Sequence, residues 1–488
     1  MLRLFDNRPV RFLKRQAKHL AVVVPGVLAA ILGTMALGRP GLWGDEFATW
    51  GTAKLPLKQS LALYSHVDAV LSPYYLAMKG WIALAGDSDA ALRLPSLIAL
   101  AAAAVLVGAL GHQMFGPWAG GIAGVLFAGL PIVSRYAQEA RPYAFATLFA
   151  TLATFCFLRI VPDGRRRWYV AYVVALVLTG LSHLLALTIL VAHGAGVVVR
   201  RRRHLARGWV AAGATTALVL SPLMAAAFLQ RGQVAWVGAV RLPPEFYVAC
   251  LGGSVLGGVL VCVLASHSRV LDHPDGLMLT VWALGPPLIF LALSPVADFL
   301  LPRYLLFVLP AWALLAGRGL ARPRAGRAVA VVVALALLAV PQHLTIRTGG
   351  GHEGQDSRAM ALTITRGSEP GDGVVYGVQD GRWTCCPWLA RDAVTHYVPA
   401  DRRPRDLLLR VPLRSDGELE PSELQDVAAA LTGTGRLWVV RLQYRADPLA
   451  GLGDGLERAL RTGYRQAGIW YPQGFTVALL VGPPYRAV

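Results

Sequence analysis

Long apolar runs, punctuated by arginine, organise the first 345 residues of this chain. Charge-free runs of about 17–25 residues are long enough to cross a hydrocarbon core of about 30 Å. They cover residues 20–38, 94–111, 116–134, 142–158, 208–229, 246–266, 276–297 and 328–346. A further run, 304–317, is shorter, and Arg303 and Arg318 at its ends can snorkel toward the interfaces. The run 168–199 behaves differently. At about 1.5 Å rise per residue it is too long for one upright span, and arginines at 165–167 and 200–203 assign both its ends to the same surface. A tight hairpin bending near 180–183 satisfies both conditions and brings the expected total to eleven spans.

After Gly349, Gly350 and Gly351 the pattern changes to short apolar runs alternating with amphipathic ones. Helices are expected over 356–366, 388–397, 421–431 and 456–466, and strands over 374–378, 407–411, 437–442 and 475–481. Such alternation predicts a small α/β layer domain. The expected fold class is therefore mainly α: a polytopic membrane helix bundle with a small C-terminal extracytoplasmic α/β domain. Its parts are a basic tail (1–19), a transmembrane domain (20–346) carrying a long first outer loop (39–93), and the C-terminal domain (347–488).

Composition supports this division. Hydrophobic residues make up 55% and charged residues 15%, against about 25% charged in a typical soluble domain. This excludes a disordered chain, a disulfide scaffold and an ordinary cytosolic enzyme. The net charge of +19 would suggest a nucleic-acid partner, but the charge is in the wrong place: residues 346–488 carry only +1 of it. Bases concentrated between apolar runs mark cytoplasmic loops, so no nucleic-acid partner is expected. The run 20–38 is too long for the core of a cleavable leader, and no small-residue cleavage pattern follows it. With the N-terminus inside, the inner segments hold 20 basic residues and the longer outer ones 9. The expected placement is multi-pass in the cell membrane, with a cytoplasmic N-terminus and the C-terminal domain outside.

The acids gather on the opposite face: Asp45, Glu46, Asp68, Asp87, Asp89, Glu139, Glu245 and Asp298 all fall in outer segments. Ion-coupled transporters place ionisable residues near the bilayer midplane, and none of these acids lies mid-span, which argues against the rival reading of a transporter or flippase of a lipid-linked saccharide. A non-catalytic membrane scaffold is a second rival. The first outer loop opens with Trp43-Gly44-Asp45-Glu46, and two stretches after it, 55–64 and 73–84, read as helices lying among the lipid headgroups. The second outer loop carries Glu139 and Arg141 within ten residues, and Arg303 stands at a later span boundary. Carboxylates can take a proton from an acceptor hydroxyl, and arginine can neutralise a leaving phosphate bidentately.

Read in order, Trp43-Gly44-Asp45-Glu46, His66-Val67-Asp68-Ala69, Ser72-Pro73-Tyr74-Tyr75, Gly86-Asp87-Ser88, Arg93-Leu94-Pro95-Ser96, Gln138-Glu139-Ala140-Arg141-Pro142-Tyr143 and Pro302-Arg303-Tyr304-Leu305-Leu306 resemble the GT-C class of membrane glycosyltransferases. The resemblance is to the bacterial mannosyltransferase-like branch related to protein O-mannosyltransferases and lipid A aminoarabinose transferase, and it covers residues 20–320 or so. It implies a sugar, mannose first, carried on polyprenyl phosphate and transferred outside the membrane, with inversion, to a protein, lipid or glycan acceptor. Asp45 would be the base, and Glu46 and Glu139 would orient the sugar or acceptor or hold a divalent cation. Arg141 and Arg303 would face the lipid phosphate, with Tyr304, His66 and Asp68 in the same substrate-binding set. Relatives commonly carry an acid–His–Pro–Pro pattern where this chain has His66-Val67-Asp68 and one later proline, Pro73, a departure that argues against a metal role for His66.

Other polar residues read more plainly. His183 and His193 lie in the apolar hairpin and read as packed or hydrogen-bonded helix residues. Cys156, Cys250 and Cys262 read as apolar fillers, while the adjacent Cys385 and Cys386 are either a strained vicinal disulfide or two separate thiols.

Overall fold

The computed structural model describes residues 8–233, 237, 242–294, 299–322, 325–377, 388–419 and 421–483. Asp298, Cys385 and Cys386 lie outside them. Helix α1 (Arg8–Thr34) is followed by the short helices α2 (Gly44–Lys54), α3 (Leu57–His66) and α4 (Ser72–Ala85). Next come α5 (Asp89–Phe115), α6 (Pro117–Gly129), α7 (Pro131–Ala137), α8 (Tyr143–Asp163), α9 (Arg166–Ser182), α10 (Ile189–Arg200) and α11 (Arg203–Leu229). Then α12 (Pro244–Cys250), α13 (Val255–Ser266), α14 (Gly276–Leu293), α15 (Leu309–Leu320) and α16 (Ala325–Thr345) complete the apolar part. The remainder alternates: α17 (Ser357–Gly367), β1 (Gly373–Tyr376), α18 (Leu389–Tyr397), β2 (Arg405–Asp406), β3 (Leu409–Val411) and β4 (Ser422–Glu423). It closes with α19 (Val427–Leu431), β5 (Arg436–Leu442), α20 (Asp454–Gly463), β6 (Arg465–Trp470) and β7 (Phe475–Val481).

The chain forms two compact units, Met1–Met35 with Arg93–Leu344, and Ala36–Leu92 with Thr345–Val488. In the first, α1 packs on α6, α6 on α15, α8 on α9 and α10 on α14. Helices come close where side chains are small: a Cβ at Gly124 of α6 would stand 2.3 Å from the Pro25 ring of α1. The windows of α11 and α16 are only 17% buried. Leu218, Leu229 and Leu337 face outward on them, as lipid-facing positions require.

Among the described residues, seven helices are long and apolar enough to span: Asp89–Phe115, Tyr143–Pro162, Arg203–Leu229, Val255–Asp272, Gly276–Leu293, Pro302–Leu320 and Ala325–Thr345. Helices α6 and α7 make an eighth if the pair, bent by 63°, counts as one. The count of eleven is thus met only in part. The apolar part of α1, His19–Thr34, and the hairpin arms, Leu184–Arg200 and α9, are shorter apolar helices of no more than 17 residues. The bend between α6 and α7 has a local cause. Pro131 offers no N–H and disfavours helical geometry at Leu130, whose ψ is 126°. The hairpin breaks at His183, which is extended (φ −162°) and leads into a 3₁₀ turn, Leu184–Thr188.

In the second unit a five-stranded sheet runs β2-β1-β5-β7-β6. β1 is parallel to β2 and β5, whereas β5, β7 and β6 pair antiparallel. Val375, Leu437, Val439, Ala478 and Leu480 from its centre pack with Leu456 and Leu460 of α20. The first outer loop folds into this same unit. Helix α2 is almost wholly buried, while α3 and α4 keep leucines exposed at 57, 61, 76 and 84. Two sequence expectations need correction here. Residues 421–431 are not one helix: Ser422 and Glu423 form β4, paired with β3, and only Val427–Leu431 is helical. The expected helix over 456–466 ends at Gly463, and Arg465–Trp470 forms a strand that the sequence reading missed. Glu423 is held extended by a long-range ion pair with Arg391, which also bonds Asp406 at 2.7 Å. The missed strand is an exposed edge, so its RQAGIW sequence lacks the apolar alternation of a half-buried one.

Candidate functional site

Two groups of predicted residues are defined, one in each unit. In the first unit, Pro131 and Pro142 bracket a short helix and a tight turn, in which Arg141 N–H donates to Glu139 O at 2.9 Å. Gln138 pins the turn to the end of α1, its Nε2 donating to Gly33 O and Met35 O at 2.8 Å each. Glu139 is 1% exposed and accepts a short hydrogen bond from Arg135 one helical turn earlier. Arg141 is also buried.

The hairpin bend and the 3₁₀ turn Pro302–Val308 come to the same place. The His183 ring centroid lies 5.6 Å from Tyr143 and 4.9 Å from Tyr304, and Tyr143 lies 6.0 Å from Tyr304. Arg141 stands two positions before Tyr143 and Arg303 one before Tyr304, and the Arg303 guanidinium sits 5.8 Å from the Tyr304 ring centre. The structure therefore gathers Glu139, Arg141, Arg303 and Tyr304 with three residues the sequence reading did not select: Arg135, Tyr143 and His183. Only one signal pointed to His183, its position at the bend between two arginine-flanked arms. Three guanidiniums, one of them paired with the buried carboxylate, and three ring systems at helix ends can hold an anionic, sugar-bearing headgroup.

In the second unit Asp45 and Glu46 lie in the first turn of α2, where carboxylates suit the helix dipole. The neighbours point differently. Glu46 is fully buried, its Oε2 3.7 Å from Nδ1 of the equally buried His352. Asp45 is partly exposed, although every other residue from 41 to 50 is buried. The other predicted pair stands a helix further on. His66 ends α3 against Gly417, and Asp68, in the left-handed region (φ 57°), accepts the Tyr75 hydroxyl at 2.8 Å. Lys54 and the Trp50 indole both donate to Asp87 and hold its carboxyl below the usual carboxylate range. Among the described residues, no three His, Cys, Asp or Glu side chains stand close enough to hold a metal ion.

A family model described as dolichyl-phosphate-mannose-protein mannosyltransferase matches residues 68–225. Among solved structures, ArnT from Cupriavidus metallidurans bound to undecaprenyl phosphate matches with a TM-score of 0.62 at 16% identity, over 94% of this chain and 97% of that one. Its apo state matches with 0.60 at 15% identity, over the same 94% and 97%. An Archaeoglobus fulgidus oligosaccharyltransferase in complex with Zn and sulfate matches with 0.51 at 14%, over 86% of this chain and 68% of that one. No curated protein matches the sequence significantly. At these identities the likeness is one of fold, and the fold is that of the GT-C membrane glycosyltransferases, the class that the ordered motifs resemble.

Proposed function

We propose that the chain is a glycosyltransferase that moves a sugar, mannose first among candidates, from a polyprenyl-phosphate donor to an extracytoplasmic acceptor. One observation carries this reading. Glu139, Arg141, Arg303 and Tyr304 meet at membrane-helix ends, in a fold whose solved example holds undecaprenyl phosphate. The N-terminus lies inside and residues 345–488 lie outside.

In the reaction, an acceptor hydroxyl attacks the anomeric carbon and its proton passes to Asp45. The new C–O bond forms as the bond to the phosphate oxygen breaks. Arg141 and Arg303 neutralise the charge growing on the departing lipid phosphate, which is most valuable away from bulk water. Attack opposite the leaving group inverts the anomeric centre. Asp45 suits the base role because it alone in its segment reaches solvent. Glu46, buried beside His352, supports the helix that carries it.

The test is transfer from polyprenyl-phosphate mannose, glucose and arabinose in turn by the purified protein, read by product mass and anomeric configuration. Asp45→Asn should lower turnover by about 10²–10⁴-fold. Arg303→Lys, which keeps the charge but not the forked geometry, should raise the donor KM. Full turnover by Asp45→Asn, or a retained configuration, rejects the mechanism.

A further inference from the structure

Helix α2 starts without a side-chain cap of its own: Trp43, its N-cap residue, makes no capping hydrogen bond. The backbone leading to Asp45 is instead held by groups more than 300 positions later in the chain. Gly41 N–H donates to Gly349 O at 3.1 Å. Leu42 N–H donates to the Tyr397 hydroxyl at 2.8 Å, and the Ser357 hydroxyl donates to Leu42 O at 2.6 Å. The Trp388 indole N–H donates to Gly44 O at 2.9 Å. Tyr397 has its own proton committed to Asp89 at 2.6 Å, so a lone pair is left to receive Leu42 N–H. Asp89 is fixed in turn by Arg358 and by His396 at 3.0 Å. The approach is close enough to demand glycine: a Cβ at Gly41 would stand 2.5 Å from Ser357 Oγ and 3.1 Å from Arg358 N.

The segment is buried, so its backbone groups need partners, and those partners come from residues 349–397. They fix both backbone groups of Leu42 and the carbonyl of Gly44, the residue before Asp45, while leaving the Asp45 side chain as the one partly exposed group of the segment. We infer that Tyr397, Ser357 and Trp388 are positioning residues for Asp45, so that a task of the C-terminal segment is to aim the base. This rests on the reading of Asp45 as base. A general base acts only within about 2.6–3.2 Å of the proton it takes, and a displacement of about 1 Å can cost about 10²-fold.

The test uses the full chain in detergent or vesicles. Tyr397→Phe keeps its ring and removes the hydroxyl with its bonds to Leu42 and Asp89, and Trp388→Phe keeps an aromatic side chain, smaller by part of the indole, without the N–H that reaches Gly44. Together they should lower kcat by about 10–100-fold with little change in donor KM. Each is also combined with Asp45→Asn. If they act through Asp45, turnover of the combined variants falls no further than that of Asp45→Asn alone. An unchanged kcat in the double variant, or losses that add to that of Asp45→Asn, overturns the inference while leaving the base intact. Trp388→Phe alone, the milder change, gives the same reading should the double variant unfold. Full turnover by Asp45→Asn removes the base reading, and this inference falls with it.

Discussion

His193 is fully buried in α10, with Nδ1 2.7 Å from the Tyr172 hydroxyl, Nε2 3.1 Å from Thr154 Oγ1, and its ring stacked on Phe157 at 4.8 Å. Both nitrogens are engaged, so the plain reading of this residue from sequence holds. Replacing it with Phe strands the buried Tyr172 hydroxyl, while Thr154 keeps its bond to Ala150 O. Because a hydrogen bond between membrane helices is worth about 1 kcal/mol, His193→Phe should lower the melting temperature in detergent modestly and leave donor KM unchanged. His183 contrasts with it. The sequence classed the two histidines together, yet one lies inside a helix and the other at a break beside two arginine charges. Apart from the position of His183 at the bend, nothing local separates them, because the arginines near His183 stand 42 positions before it and 120 after.

Among the elements, α2 depends most on others. Gly51 has no side chain because the Arg414 guanidinium occupies the space, where a Cβ would stand 2.3 Å from Nη1. That guanidinium bonds Asp392 at 2.6 Å with both side chains about 5% exposed or less. Burial pushes the Asp392 carboxyl above its ordinary value, against the pull of Arg414. Removing the cation leaves a buried carboxylate uncompensated, so Arg414→Ala should cost about 3–5 kcal/mol, measured by unfolding of the purified protein. Arg414→Ala/Asp392→Leu should recover part of the loss, since an apolar replacement of a buried pair is often tolerated. The same dependence explains where element prediction failed. Strands β5 and β7 were legible because buried strands read as continuous apolar runs. β4 and β6 were not, one being set by the distant Arg391 and the other an exposed edge.

At the level of the whole molecule, the uneven distribution of arginine is the strongest evidence for orientation, and it is directly testable. In a cysteine-free background, a cysteine at Lys58 should react with an impermeant maleimide on intact cells. A cysteine at Arg207 should react only after permeabilisation. The reverse pattern would place α2 and Asp45 on the wrong side for an extracytoplasmic acceptor. Residues 36–92 lie between apolar runs along the chain and form one compact unit with residues 345–488.

By itself the sequence determined the membrane character of the chain, most of its helices, the change of texture after Gly349, and the class of fold that the ordered motifs resemble. These follow from hydropathy, charge and local backbone preference, which act over a few residues and are written along the chain. Tertiary structure alone decided which polar groups meet. It brought Arg135 and His183 into the arginine cluster, buried Glu46 against His352 while leaving Asp45 accessible, and fastened the start of α2 to Tyr397, Ser357 and Trp388. Hydrogen bonds and ion pairs between residues hundreds of positions apart leave no periodic trace, because they constrain a few atoms rather than a face.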